Sequence, residues 1–399
     1  MDVADLERAL GAVLDDLGPV RARVGGVGVA GMAESGAPVA GGRPLAPVIA
    51  WHDGRGEQTV ARLGEALGAD LALRIGQRLR AVSSVAKLGW LLEHGVARPE
   101  RWLGVPELCL HCLTGAEATE HSLAVRTGAY DVAERAWMPE VADVLGVDRA
   151  TFAPVLAAGA VMGRVSPAGA GRFGLPEGVP VTVAGHDHLA GAEAVGAGTA
   201  DVCNSVGTAE TLLRRTPLLP DRSRALALGL AVTLRPGGTE WVVLASATRS
   251  GLVLESLAAA LARPPGELDD LAQAAEALPG PVRPRARRTL ASGIEVPDGP
   301  PGVVWAGALG ALSARTVAAA ARLSTLFESP GERMIVYGGG SRSRPWVAAK
   351  AAAAGLPVLR SRAAETTARG AALFAGVAAG WWSSTAEGPA APLEPVEFG

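Results

Sequence analysis

Apolar residues Val3, Leu6, Leu10, Val13, Leu14 and Leu17 recur at helical spacing before Gly18-Pro19, which predicts an amphipathic helix over residues 2–17. The small apolar run Gly25 to Gly31 then predicts a buried strand that opens into the loop Met32-Ala33-Glu34-Ser35-Gly36. A second short strand around Val39 leads through Gly41-Gly42 to Val48-Ile49-Ala50, and two helices come next, from Gly56 to Leu67 and from Val82 to His94. Residues 104–115 read as a further helix, and a strand-poor region runs through Tyr130-Asp131 and Trp137 to a helix over Pro139–Leu145.

The clearest change of period lies between Val181 and Leu213. A strand ends at Gly185-His186-Asp187-His188, a small-residue helix comes after it, and two short strands flank Gly207-Thr208. A carboxylate at a strand-to-helix corner, then a hairpin of glycine and hydroxyl, is the arrangement of a base and an anion cradle. Asp187 could instead be a plain helix N-cap, although Ala190 stands where a capping box needs Glu or Gln. Three polar side chains at the buried end of an apolar strand are costly unless they serve a ligand. His186 and His188 are open to metal ligation; the preferred reading sets one against the core and the other toward a cleft.

Beyond Leu213 the pattern predicts strands near Ala227–Leu234 and Trp241–Ala245, and helices over 252–262 and 267–277. A loop over 279–302 precedes a long helix from Val304 to Phe327. The strand Met334–Tyr337 runs into Gly338-Gly339-Gly340-Ser341, and then come a helix over Pro345–Ala354, a strand over Pro357–Leu359 and a last helix over Glu365–Gly380. A strand, glycine turn and helix let a nucleotide lie against exposed backbone N–H groups. The dinucleotide fingerprint fails here, because Ser343 occupies the third glycine position and Arg360 and Arg362 stand where an acidic residue belongs.

Composition narrows the class. At 399 residues and 49% hydrophobic content, the chain can bury the cores of two domains. A net charge of -3 argues against a nucleic-acid or membrane surface, and the run Arg283, Arg285, Arg287 and Arg288 reads as a solvated loop. Lys87 and Lys350 are the only lysines, so no Walker-type phosphate loop exists; the arginine excess reads as coding bias. Cys109, Cys112 and Cys203 give no disulfide framework and suit a reducing cytosol. Cys109-Leu110-His111-Cys112, with His121 beyond, lacks a second cysteine pair and fits the apolar face of a helix better than a structural zinc site. The apolar stretch Gly370–Trp382 is too short to span a bilayer. Trp51, Asp53 and Arg55 alternate along an extended segment, where they either grip a polyol or form a core tryptophan beside a surface ion pair.

In order, these stretches resemble the FGGY carbohydrate kinases of the actin-like ATPase superfamily, which include xylulose, glycerol and ribulose kinases. WHDGR (Trp51 to Arg55) is similar to the family's W-x-D-x-R segment, and AKLGWLLEH and LTGAEATEHSLAVRTGAYD to its helical middle. GHDHLAGAEAVGAG is similar to the segment with the catalytic Asp, SVGTAETL to a phosphate loop, and VYGGGSRSRPW and ETTARGAALFAG to the adenosine segment and its closing helix.

The resemblance implies an α/β, two-domain actin-like ATPase (ribonuclease H-like) fold. A sugar-binding N-terminal domain would cover residues 1–194, a nucleotide-binding C-terminal domain 195–385, and a Pro-rich tail 386–399. It implies ATP-dependent phosphorylation of a small sugar or polyol in the cytoplasm, with Asp187 as general base. Glu34, Trp51, Asp53 and His188 would contact the sugar, Gly207 and Thr208 the phosphates, and Gly338, Gly339, Gly340 and Ser343 the adenosine. Mg2+ would balance the phosphate charge, with no side chain assigned as its direct ligand. No nucleic-acid or membrane partner is implied, and a homodimer is a candidate assembly. Ser343 replaces a common Asn, and Gly31-Met32-Ala33-Glu34 lacks the Gln-Met-His of xylulose kinases, which leaves the sugar open.

One family motif has no counterpart before Gly25: the D-x-G-T hairpin that holds the other phosphate loop. The expectation is a first domain truncated at its N-terminus, a strand Gly25–Ala30 short of ladder partners, and a weakened phosphate clamp. Two functions are then open, an active kinase or a catalytically impaired homologue that binds sugar or nucleotide.

Overall fold

A computed structural model describes residues 2–276, 287–290 and 293–396. The chain forms two compact units: Met1–Ala194 with Thr216–Val242 and Thr367–Ala390, and Val195–Arg215 with Val243–Thr366 and Ala391–Gly399. The first division falls after residue 194, but two later returns of chain belong with the first unit.

In the first unit, Val27–Gly31 pairs in parallel with Pro180–His186, which pairs antiparallel with Gly163–Arg164. Val27–Gly31 is an edge strand of this three-stranded sheet, and its one strand neighbour among the described residues is Pro180–His186. The helix Thr366–Ala378 lies directly on it: a Cβ on Gly28 would stand 2.0 Å from the Ala371 carbonyl oxygen. Gly370 makes the same close approach to the Ala190 carbonyl, at 1.8 Å. Such contacts need glycine. Arg235 clamps the buried Glu193 with two bonds of 2.7 Å, and Thr385 Oγ1 donates to the same carboxylate at 3.0 Å. One carboxylate on the helix Asp187–Ala194 thus joins all three segments of the unit.

One expected strand of this unit differs from the pattern. The expected strand over Ala227–Leu234 is a helix over Arg222–Ala227 and a strand over Ala231–Leu234. The Asp221 carboxylate caps that helix by accepting from Arg224 N–H at 3.0 Å, and Gly229, at φ 70°, turns the chain between the two elements. Cys109 is buried, and the Cys112 thiol lies 3.7 Å from Glu7; burial pushes the two thiols up to about 12 and about 11, which holds them protonated.

In the second unit, Trp241–Thr248, Glu210–Thr216, Asp201–Val206, Arg333–Tyr337, Val358–Ser361 and Leu393–Pro395 lie side by side in that order. Asp201–Val206 runs antiparallel to Glu210–Thr216 and parallel to Arg333–Tyr337. Leu393–Pro395, within the expected tail, pairs antiparallel with Val358–Ser361, and Arg360 holds Glu394 at 2.8 Å. The long helix spans Pro301–Ser324, earlier than expected because Pro301 sits in its first turn, where a missing N–H costs nothing. By length and a mean hydropathy of 1.4 it could cross a membrane. Here it buries Val304, Trp305, Leu309 and Leu312 beside the helices Pro265–Glu276 and Arg344–Ala354, and the Trp305 indole donates to Asp269 at 2.7 Å. Arg283 and Arg285 lie outside the described residues. Arg287–Thr289 is a strand paired with Glu295–Pro297, not loop, because an antiparallel partner satisfies its backbone.

Candidate functional site

The strand Pro180–His186 is irregular where the chemistry begins. Val29 faces Val183 but Ala30 faces Gly185, so Ala184 is an extra residue in the ladder. A bulge bends its strand and re-aims the residues beyond it. Gly185 has φ 94°, and a Cβ there would lie 2.6 Å from Ser122 Oγ and 2.8 Å from Glu120 Oε2. Only glycine permits that approach. Glu120 Oε2 accepts from Ser122 N–H at 2.7 Å and from Ser122 Oγ at 2.5 Å, and Glu120 Oε1 accepts from Gly237 N–H at 2.7 Å. Ser122 Oγ in turn accepts the His186 N–H at 2.9 Å. The backbone that presents residue 187 is therefore pinned by a fully buried carboxylate, which burial pushes up to about 7.

Asp187 opens the next helix. Its Oδ1 accepts the N–H of His188 at 2.7 Å, not that of a residue two or three further on, so the side chain is not an ordinary N-cap. His186 Nε2 lies 3.3 Å from Oδ1 and His188 Nε2 3.9 Å away. Burial would raise the Asp187 carboxyl, but His188, His186, the His188 N–H and Arg126 outweigh it and leave the group below the usual carboxylate range. It is ionised at neutral pH. His186 is driven by burial down to about 4 and is neutral there. Its side chain is the buried member of the histidine pair, at 10% exposure against 22% for His188.

Glu34 adopts φ 60°, rare for a residue with a Cβ. Two cations hold it there. Lys87 Nζ donates to the Glu34 carbonyl at 2.7 Å, and Arg126 binds its carboxylate through Nε at 2.8 Å and also bonds Gln77. Lys87 is fully buried, and desolvation brings it down to about 8. A small cavity of about 30 Å³ adjoins Glu34, lined by Ser35, Trp102, Trp137, Phe152 and the buried Glu107. Trp51 lies beside this loop, its N–H on Ser35 Oγ at 2.8 Å. Asp53 is engaged by Arg55 at 2.6 and 2.9 Å, and the Arg55 guanidinium lies 4.6 Å over the Trp90 ring. The structure thus brings Asp187 and His188 together, keeps Glu34 within electrostatic reach of His186, and commits Asp53 to an ion pair.

The second unit carries the other candidates. Gly207 and Thr208 form the exposed tip of the hairpin between Asp201–Val206 and Glu210–Thr216, with Gly207 N–H on the Ala209 carbonyl at 3.0 Å. Gly251, in the first turn of the helix Ser250–Ala260, packs on that tip: a Cβ would stand 2.4 Å from the Gly207 carbonyl. Below it, Glu210 accepts from Asn204 at 3.0 Å, Thr316 at 2.7 Å, Ser250 at 2.6 Å and the buried Lys350. In the glycine turn, Gly338 has φ 93° and packs on the Val206 carbonyl, and Gly340 packs on the Val206 side chain. Gly339 faces open space. Ser343 caps the next helix by accepting from Trp346 N–H at 3.3 Å.

Sequence reasoning does not single out Glu120, Ser122, Arg126 or Glu210 as site residues, and reads Lys87 and Lys350 only through coding bias. A signal was present for the lysines. In a chain whose other cations are arginine, both retained lysines are fully buried, Lys87 on the Glu34 carbonyl and Lys350 on the Glu210 carboxylate and the Thr316 hydroxyl.

Residues 4–194 match the N-terminal domain of the FGGY family of carbohydrate kinases and residues 237–379 its C-terminal domain. The chain is similar to L-fuculokinase of Escherichia coli (strain K12), 28% identical over 372 residues that cover 87% of this chain and 75% of the relative. It is also similar to glycerol kinase of Polaromonas naphthalenivorans (strain CJ2), 29% identical, with 87% and 74% covered. Among solved structures, xylulose kinase from Lactobacillus acidophilus superposes with a TM-score of 0.82 at 16% identity, covering 100% of this chain and 84% of the other. Xylulose kinase from Rhodospirillum rubrum gives 0.80 at 24% identity, with 100% and 85% covered. These likenesses give the fold as the two-domain actin-like ATPase fold. With both family domains matched in order along it, this chain belongs to the FGGY family of carbohydrate kinases.

Proposed function

We propose that the protein transfers the γ-phosphoryl group of ATP to a hydroxyl of a small sugar or polyol, with Asp187 as general base. The observation that carries this is the ionised Asp187 carboxylate at the end of a bulged strand whose backbone Glu120 and Ser122 hold fixed. A carboxylate below its usual range is a weak base in the ground state. It serves by accepting the proton as the hydroxyl oxygen bonds to phosphorus, when that proton has become strongly acidic. Neutral His186 orients it without competing for the proton, and Glu34, Arg126 and His188 offer donors and acceptors to a polyol. Trp51 and Asp53 remain candidates for further sugar contacts, although the Asp53 carboxylate must be shared with Arg55. Gly207 and Thr208 would take the phosphates, and Gly338, Gly339, Gly340 and Ser343 would line the adenosine.

Mg2+ prefers oxygen donors, and the Asp187 carboxylate fits that chemistry while the neighbouring imidazoles do not. When bound with the nucleotide it supplies charge neutralisation at the phosphates. The near absence of lysine leaves exposed arginine and backbone N–H groups for the rest of that task.

An ADP-release assay with L-fuculose, xylulose and glycerol as first acceptors tests the reading, since these are the substrates named for its relatives. Turnover that disappears in Asp187→Asn supports it. A chain that binds sugar by calorimetry but releases no ADP with any acceptor would favour the second reading, an impaired homologue that acts by binding. Three cysteines that offer no disulfide framework favour a reducing cytoplasm, which fractionation of the native host would check.

A further inference from the structure

We propose that His186, Asp187 and His188 form a binding site for a borderline-soft divalent cation of the Zn2+ class, separate in chemistry from any Mg2+ that accompanies a nucleotide. One ligand atom from each residue lies within 4.8 Å of the other two, and this is the one such group of three among the described residues. From Asp187 Oδ1 it is 3.3 Å to His186 Nε2 and 3.9 Å to His188 Nε2. Ligands bonded tetrahedrally at about 2.0–2.1 Å stand about 3.4 Å apart, so the site closes on a metal with side-chain movements of about 1 Å.

The donor set favours Zn2+ over Mg2+. Two imidazoles and one carboxylate are common zinc ligands that leave a fourth position open, whereas Mg2+ seeks oxygen. The residues are consecutive and fixed at their backbone by the Ser122–His186 bond and the Asp187–His188 bond, so little order is lost on binding. Entry is open, because the side chains of His188 and Asp187 are 22% and 34% exposed. The charges facing the group are Glu34 and Arg126, which pair with each other, so neither strongly repels nor strongly attracts a dication.

The consequence for phosphoryl transfer rests on the proposed role of Asp187: a bound Zn2+ would occupy the base and inhibit. The binding itself does not depend on that role.

Titration calorimetry with ZnCl2 on the full chain, without nucleotide or sugar, tests the site. The expected result is one equivalent bound to wild type, with affinity at least tenfold lower in His188→Gln and in Asp187→Asn, and undiminished in Cys112→Ser. Co2+ bound to wild type should give the visible bands of a low-symmetry, four-coordinate ion, and those bands should be lost from both site variants. Thermal melts show that each variant is folded before it is scored. Absence of Zn2+ binding overturns the proposal, as does affinity that falls in Cys112→Ser but persists in His188→Gln and Asp187→Asn. Loss of kinase turnover alone has no bearing on these readouts.

Discussion

Ser122 Oγ accepts the backbone N–H of His186 at 2.9 Å while donating to Glu120 at 2.5 Å, and so ties a buried carboxylate to the residue before Asp187. Removing the hydroxyl leaves one buried N–H without an acceptor, a cost of about 1–3 kcal/mol. The strand end should then wander, and Asp187 with it. For Ser122→Ala the expected outcome is a drop in kcat of roughly tenfold, with KM for the sugar within about twofold, because on the proposed role of Asp187 a misaimed base harms the transition state more than binding. Steady-state kinetics across acceptor concentrations read both. An unchanged kcat would show that the link carries no function.

Glu120 adds a pH dependence. Burial raises its carboxyl from 4.5 to about 7 in the folded chain, so the folded state binds more protons than the unfolded state between those values. Stability is greatest below the unfolded value and is lost as pH rises through about 7. Both oxygens accept N–H bonds, so Glu120→Gln puts an amide donor against a donor and should lower Tm. The informative quantity is the slope: melts between about pH 5 and 8 should decline less steeply for Glu120→Gln than for wild type. Parallel slopes would mean that Glu120 does not titrate in this range.

The order of motifs, the strand-to-helix corner at residue 187 and the glycine turn at 338–340 were legible because they rest on local period and local chain reversal. Their surroundings were not. The extra residue Ala184 depends on which residue of Val27–Gly31 it is measured against, and Glu120 reaches Gly185 and Gly237 across long stretches of chain. The helix over Arg222–Ala227 escapes pattern reading because its start is fixed by a single aspartate cap rather than by an apolar stripe. Lysines 87 and 350 were visible but misread. An ammonium is slim and can shed its proton, whereas guanidinium is broad and permanently charged, so a narrow buried site with one or two acceptors retains lysine even where arginine is otherwise favoured.

Lys87 supports the Glu34 loop at a cost. Desolvation lowers its ammonium from 10.5 to about 8, so the folded state binds fewer protons than the unfolded state in that interval and stability rises as pH climbs from about 8 to 10.5. Lys87→Met removes this cost but also releases the Glu34 carbonyl and its left-handed backbone. Expected are a fold that melts within a few degrees of wild type and a KM for the sugar raised about tenfold. Retention of wild-type KM would remove Glu34 from the sugar site.

Lys350 and Glu210 are both fully buried, and Glu210 also serves Asn204, Ser250 and Thr316. Taking one member from such a pair strands the other charge, at about 3–5 kcal/mol. Lys350→Met should therefore lower the urea midpoint strongly. Because Ser250 begins the helix that packs on Gly207 and Thr208, ATP affinity should fall as well. Urea melts and nucleotide titrations on the same sample separate the effects, and a loss below about 1 kcal/mol would contradict the buried pair.

The glycines at 338, 339 and 340 have different jobs, which substitution can separate. Alanine at 338 must adopt φ near 93° and bring its Cβ within 2.6 Å of the Val206 carbonyl; alanine at 340 meets Val206 Cγ1 at 2.4 Å and the Trp346 ring at 2.7 Å. Both changes should destabilise the second unit by several degrees in Tm, whatever binds there, because they push against the sheet. Alanine at 339 meets nothing within 4 Å. Its melt should match wild type, so any fall in ATP affinity reports a nucleotide lying on that face. A Gly339→Ala protein that melts normally and binds ATP as tightly as wild type would take adenosine away from this turn, leaving the glycines as devices for packing the turn on Val206.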